Sequence, residues 1–241
     1  MKIPSITGVI ERRILVNFRI DPDVMDQALP APFRSVTVNG HAIGGICLIR
    51  LGKVRPRMLP LPWGISSENA AHRIAVHWDD DGEMREGVYI PRRDTNSRLN
   101  TWAGGRVFPG VHHHATFDVE EAEPDYAVRM RSEDGGAEVF VKGSIADDLP
   151  ASSTFDSLAA ASQFFENGSL GYSATGDSDR FNGLELRCAE WSVDPLDVDE
   201  VKSSYFEDRS RFPEGSVEFD CALLMRDIPH EWHARSDLCC P

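Results

Sequence analysis

Two adjacent arginines, Arg92 and Arg93, follow a short alternating run over residues 87–90 and Pro91. A planar guanidinium fork holds a carboxylate or phosphate through two parallel hydrogen bonds, so this pair is suited to seizing a small anion. Asp94 comes next in the chain, and the same arginines have a second option in pairing with it or with surface acids. Tyr89 alternates with Val88 and Ile90 and therefore faces the opposite side of its strand, where it either lines a cavity or fills a core.

Other reactive side chains are sparse. The four lysines are Lys2, Lys53, Lys142 and Lys202. Only Lys142 sits in a strand-like context where desolvation would make an amine reactive, although long stems commonly reach solvent from such positions. In His112-His113-His114, successive strand residues point to opposite faces, so only His112 and His114 can share one. His230 and His233 lack the glutamate spacing of a zinc protease, and structural or surface histidines are expected, with no metal and no other cofactor. The five cysteines are odd in number and scattered, which argues against a disulfide framework. Cys47, Cys188 and Cys221 lie in strand-like runs and read as small buried hydrophobes, while Cys239 and Cys240 read as a frayed tail.

The elements that must position these residues are mostly strands. Over residues 10–20 the even positions Ile10, Ile14, Val16, Phe18 and Ile20 are apolar, Arg12 being the exception, and the odd positions Glu11, Arg13, Asn17 and Arg19 are polar. Asp21-Pro22 starts a short helix that Pro30 ends. Asn39-Gly40 and Asp134-Gly135-Gly136 each separate two strand-like runs, as hairpin turns do. Further alternating runs span 73–78, 115–119, 184–191 and 217–225. Phe155, Leu158, Ala159, Ser162 and Phe165 follow helical spacing, with Ser153 or Thr154 as cap and Asn167-Gly168 as terminator. Nine or ten strands with two or three short flanking helices make a mainly β protein, a closed or nearly closed antiparallel β-barrel, with a two-sheet sandwich as the alternative. No composition shift, linker or repeat divides residues 1–241, so one domain is expected.

The stretch Glu86-Gly87-Val88-Tyr89-Ile90-Pro91-Arg92-Arg93-Asp94 resembles the acetoacetate decarboxylase superfamily, whose corresponding strand carries a Tyr/Phe-x-Pro-Lys-Lys type sequence. The chain is most similar to the relatives grouped as domain of unknown function 2071, and Glu68-Asn69-Ala70-Ala71-His72-Arg73, Phe164-Phe165-Glu166-Asn167-Gly168 and His230-Glu231-Trp232 fit that group as well. The resemblance implies a decarboxylase-like barrel and favours a homo-oligomer. The decarboxylase uses a lysine as Schiff-base nucleophile, activated by an adjacent cation. Arginine supplies no free amine, so Arg92-Arg93 implies that this chemistry is absent and that the pair holds an organic acid or similar anion in the interior. The resemblance also singles out Glu68, which would act as general acid or base if buried beside the arginines, in an enzyme of lyase or isomerase type working on a keto or hydroxy acid; otherwise it is a solvated loop residue.

Charge narrows the partners further. The chain carries 39 Asp plus Glu against 25 Lys plus Arg, a formal net charge of -14, which excludes general nucleic-acid binding. No run approaches the ~20 apolar residues of a membrane span. The N-terminal segment has no charged-then-apolar leader, so a cytoplasmic protein is expected. Scarce lysine with abundant aspartate fits a saline habitat or a high-GC genome, and composition leaves both open.

Overall fold

The computed structural model describes residues 5–58, 64–106 and 108–239. Lys2 and Cys240 lie outside them. Fourteen strands form one sheet: β1 Ser5–Ile20, β2 Arg34–Ser35, β3 Thr37–Val38, β4 His41–Pro56, β5 Ile65–Asp80, β6 Glu83–Thr95, β7 His112–Ala122, β8 Asp125–Ser132, β9 Glu138–Ile145, β10 Leu170–Ala174, β11 Arg180–Cys188, β12 Asp194–Ser203, β13 Val217–Ala234 and β14 Leu238–Cys239. Three helices, α1 Pro22–Ala28, α2 Arg98–Ala103 and α3 Leu158–Asn167, interrupt them. Among the described residues no helix is long and apolar enough to cross a membrane.

Local chemistry explains the turns. Asn39 and Gly40 both take positive φ, 47° and 84°, the backbone a two-residue hairpin of this twist requires, and β3 and β4 pair across them. Asp21 caps α1 by accepting from the Asp23 and Val24 amides, with Pro22 in the first turn. The cap of α3 is Ser157, not Ser153 or Thr154, because those two bond the buried Asp220 carboxylate: Ser153 Oγ donates at 2.8 Å and the Thr154 amide at 2.6 Å.

The expectation of a wholly antiparallel sheet is corrected at β6. Its pairings with β10 and with β7 are both parallel, so the sheet is mixed. Neither partner is joined to β6 by a hairpin: β7 follows it through the α2 connection, and β10 lies far along the chain. The two pairings also close the hydrogen bonding on itself. One path runs β6-β5-β4-β1-β13-β11-β10 and returns to β6; another leaves β6 through β7, β8, β9 and β12 to reach β13. The shared strands therefore have two interiors to fill. Odd residues of β4 and β5 such as Cys47, Ala71, Arg73 and Ala75 face one, against α3, while even residues such as Ile46, Leu48, Ala70 and Ile74 face the other.

Candidate active site

A shift in register on β6 sorts the arginine pair. Ile74 pairs with Tyr89 and His72 with Arg92, so three steps on β6 oppose two on β5. The extra residue is a β-bulge at Ile90-Pro91, and beyond it the faces exchange. Arg93 thereby joins Val88 and Ile90 on the α3 side, where all three line a cavity of about 150 Å³. Arg92 joins Tyr89 on the opposite side, on a separate cleft.

The α3-side cavity gathers three guanidiniums. Arg13 comes from β1, Arg73 from β5 and Arg93 from β6. Among the described residues none of the three has a carboxylate in ion-pair contact. Arg13 donates to Cys47 Sγ at 3.4 Å and lies 3.8 Å from Met225 Sδ. Arg73 Nε donates to Cys47 Sγ at 3.1 Å, and Arg73 also reaches Asn17 Oδ1. Its guanidinium sits over the Phe165 ring at 4.6 Å, so α3 closes one wall with an aromatic face. Arg93 donates to Ser173 Oγ of β10 at 3.0 Å. Glu86 is exposed at the rim, and the Asp94 carboxylate is turned to Arg92.

Burial lowers Arg93 to about 10, which leaves it charged at neutral pH, and it also lowers Arg73. Burial pushes the Cys47 thiol up, yet the Arg13 and Arg73 guanidiniums together bring it below its ordinary value. His112, opposite Arg93 in the parallel β6–β7 register, is lowered to about 3 by burial and then by Arg93, and is neutral. A carbonyl only accepts, so the 3.0 Å contact to Gly110 O puts the proton on His112 Nδ1 and leaves Nε2 an acceptor. Gly110 itself has φ +81°, and a Cβ there would lie 2.8 Å from Ser173 Cβ, so only glycine lets this loop approach the Arg93–Ser173 contact.

The residues singled out from sequence are divided: Tyr89 and Arg92 share one cleft, Arg93 lines the α3-side cavity, and Glu68 lines neither. Arg92 donates through Nε to Asp94 Oδ2 at 2.9 Å, and through Nη2 to Asp134 Oδ1 at 2.7 Å and Ser132 Oγ at 2.5 Å. The Arg92 hydrogen bond holds the Asp134 carboxyl well below the usual range. Tyr89 fills core: it is stacked on Phe33 at 5.2 Å, and burial raises its hydroxyl to about 12. Glu68 is buried but occupied. Arg12 Nη2 and Arg50 Nε each donate to its carboxylate at 2.6 Å, and the same two arginines bind Glu121. Lys142 is exposed, and no lysine lines the cavity among the described residues. His113 meets Asp134 at 2.8 Å, and no three His, Cys, Asp or Glu side chains among the described residues gather as a metal would require.

The profile of DUF2071, described as an uncharacterized conserved protein, matches residues 9–219. The chain belongs to this family. No curated protein matches it in sequence. Among solved structures, acetoacetate decarboxylase from Legionella pneumophila superposes with a TM-score of 0.61 at 9% identity, covering 96% of this chain and 87% of that one. An acetoacetate decarboxylase-like enzyme from Sphingomonas wittichii RW1 gives 0.58 at 11% identity, covering 100% and 94%. The enduracididine biosynthesis enzyme MppR, complexed with pyruvate, gives 0.59 at 9% identity, covering 99% and 91%. At these identities the likeness is one of fold, and the DUF2071 chain has the acetoacetate decarboxylase-like fold.

From sequence, Arg13 and Arg73 carry no site role in this DUF2071 protein, Cys47 reads as a small buried hydrophobe and His112 as a structural or surface histidine. Arg13 and Arg73 occupy the polar positions of alternating strands, which ordinarily face water. The available signal was the small residues flanking Arg73 on the same face, Ala71 and Ala75, which leave room for a long side chain to lie within the fold.

Proposed function

We propose that this DUF2071 protein binds a small organic anion, a carboxylate by preference, inside the smaller pairing ring, taken as a barrel, with Arg93, Arg13 and Arg73 as its cationic wall. The observation that carries this reading is three guanidiniums lining one cavity with no carboxylate against them among the described residues. A buried charge without a counter-charge costs several kcal/mol, and an anion of matching shape removes that penalty. The guanidinium forks orient a carboxylate, and Cys47 stands between Arg13 and Arg73. A binding role, as against a lyase or isomerase working through Glu68, is supported by the two ion pairs that occupy that carboxylate. The anion role assigned from sequence to Arg92 passes to Arg93, since Arg92 is already paired with Asp94 and Asp134.

The test is a thermal-shift screen of carboxylates and phosphates at millimolar concentration. Binding to the folded state raises the midpoint by mass action. Carboxylates should raise it in the wild type and not in Arg93→Met. Equal shifts in both proteins, or hits confined to neutral compounds, overturn the reading.

A further inference from the structure

We infer that the anion is the head of an amphipathic acid, an alkyl or acyl chain carboxylate whose tail lies in a second, apolar lobe. This deepens the anion-binding reading above and rests on it. The second lobe encloses about 310 Å³. Ile49, Ala71, Arg93 and Trp232 line both lobes, so the two spaces meet at the Arg93 side chain. From there the second lobe runs outward between β4, β5 and α2, walled by Leu51, Val54, Ile65, Leu99, Trp102 and Phe108.

Several of its polar groups already have partners within the fold. Asn69 and Asn100 donate to Ser67 Oγ at 3.0 and 3.2 Å, His112 is bonded to Gly110, and Arg55 donates to the Lys53 carbonyl at 3.3 Å. A ligand in this lobe meets mostly apolar contacts along its length and the Arg93 cation at its inner end. Ile65, Leu99 and Trp102 line the lobe yet remain 43%, 53% and 60% exposed, so its outer end opens to solvent through an apolar rim. A hydrophilic metabolite gains nothing from such an entrance, whereas an alkyl chain gains by every methylene it buries. At about 30 Å³ for each water-sized unit, the lobe takes about ten such units, the bulk of a chain of about eight to ten carbons.

The experiment is calorimetric titration of the full chain with straight-chain carboxylates from acetate to decanoate, below their micellar concentrations, and with the matching alkanols. Affinity should rise about fourfold per added methylene, the factor that follows from about 0.8 kcal/mol per buried CH₂, and level off when the lobe is full. Ala103→Trp, which narrows the lobe beside α2, should shorten the chain at which affinity levels off. Arg93→Met should weaken every acid by a similar factor. Acids that bind through Arg93 with no dependence on chain length overturn the amphipathic inference and leave the anion reading standing. Alkanols that bind as tightly as acids, or no binding by any acid, overturn both.

Discussion

Arg93 and Tyr89 lie four residues apart on β6 and face opposite sides of the sheet, because the bulge at Ile90-Pro91 exchanges the faces between them. Strict alternation puts these two residues together and sends Arg92 into the cavity. The bulge gives Arg92 an ion-pair role and Arg93 a cavity role. The two arginines should then respond to substitution with opposite signs. Arg92→Met leaves the fully buried Asp94 carboxylate without its partner and should cost about 3 kcal/mol in urea unfolding. Arg93→Met removes a buried charge that has no carboxylate partner among the described residues, and should raise stability by about 1 kcal/mol or more while weakening carboxylate binding. Equal destabilisation by both would contradict this division of roles.

Cys47 and a bound carboxylate compete for the same two guanidiniums. Arg13 and Arg73 favour the Cys47 thiolate and keep its pKa below the ordinary value despite burial. Ionisation therefore places a resident anion where the ligand's charge would sit. Carboxylate affinity should fall as pH rises through the folded thiol pKa, by up to tenfold per pH unit, and this fall should vanish in Cys47→Ser. In the empty protein the sign is the reverse. The depressed thiol adds stability that is fully present above the unfolded value of about 8.5 and is lost as pH falls through the folded one. Titrations of acetate or butyrate between pH 6 and pH 9 on both proteins check the binding half of this linkage. A wild-type profile as flat as that of Cys47→Ser would refute it.

Glu68 joins β1, β4, β5 and β7 through Arg12, Arg50 and Glu121. Arg12 is 2% exposed, so a neutral Glu68 leaves a buried guanidinium with Glu121 as its one carboxylate partner among the described residues. Glu68→Gln should destabilise the protein by about 3 kcal/mol in denaturant unfolding. Because this cluster stands apart from the three-arginine cavity, carboxylate affinity measured well below the transition should change less than twofold. A tenfold loss of affinity at full folding would instead return Glu68 to the binding site.

Much of the fold was legible where the cause is local. Asn39-Gly40 announces its hairpin because few other pairs accept two positive φ values in a row, and the β1 alternation survives in the core facing of Ile14, Val16, Phe18 and Ile20. What failed was everything decided at long range. From Ile14 to Phe18 both faces of β1 are buried, so the polar positions nearby do not mark water, and Arg13 points into a cavity. Arg12, the exception in the apolar series, is explained by an acid 56 residues away. Helix α2 buries none of its residues, so no apolar stripe recorded it. The parallel partners of β6 leave no trace in its own residues. The arginine pair was visible in the sequence, but its assignment to faces depended on one bulged residue that alternation does not reveal.

Lysine chemistry provides the last discriminating test. A Schiff base with acetoacetate needs a primary amine that can lose its proton inside a site where the ketone is held. No lysine lines either lobe among the described residues. Lys53 and Lys142 are exposed, and Lys202, also exposed, is paired with Glu200 at 2.7 Å. The expectation of a desolvated Lys142 does not hold, because its strand position faces water. Borohydride reduction in the presence of acetoacetate should therefore trap no stoichiometric adduct. Mass spectrometry of the intact chain followed by peptide mapping reads the outcome. Trace modification spread over several lysines reflects the background reactivity of exposed amines. One adduct per chain on a single lysine would show that an amine reaches the ligand after all, and would assign covalent catalysis to the cavity in place of anion binding through its arginines.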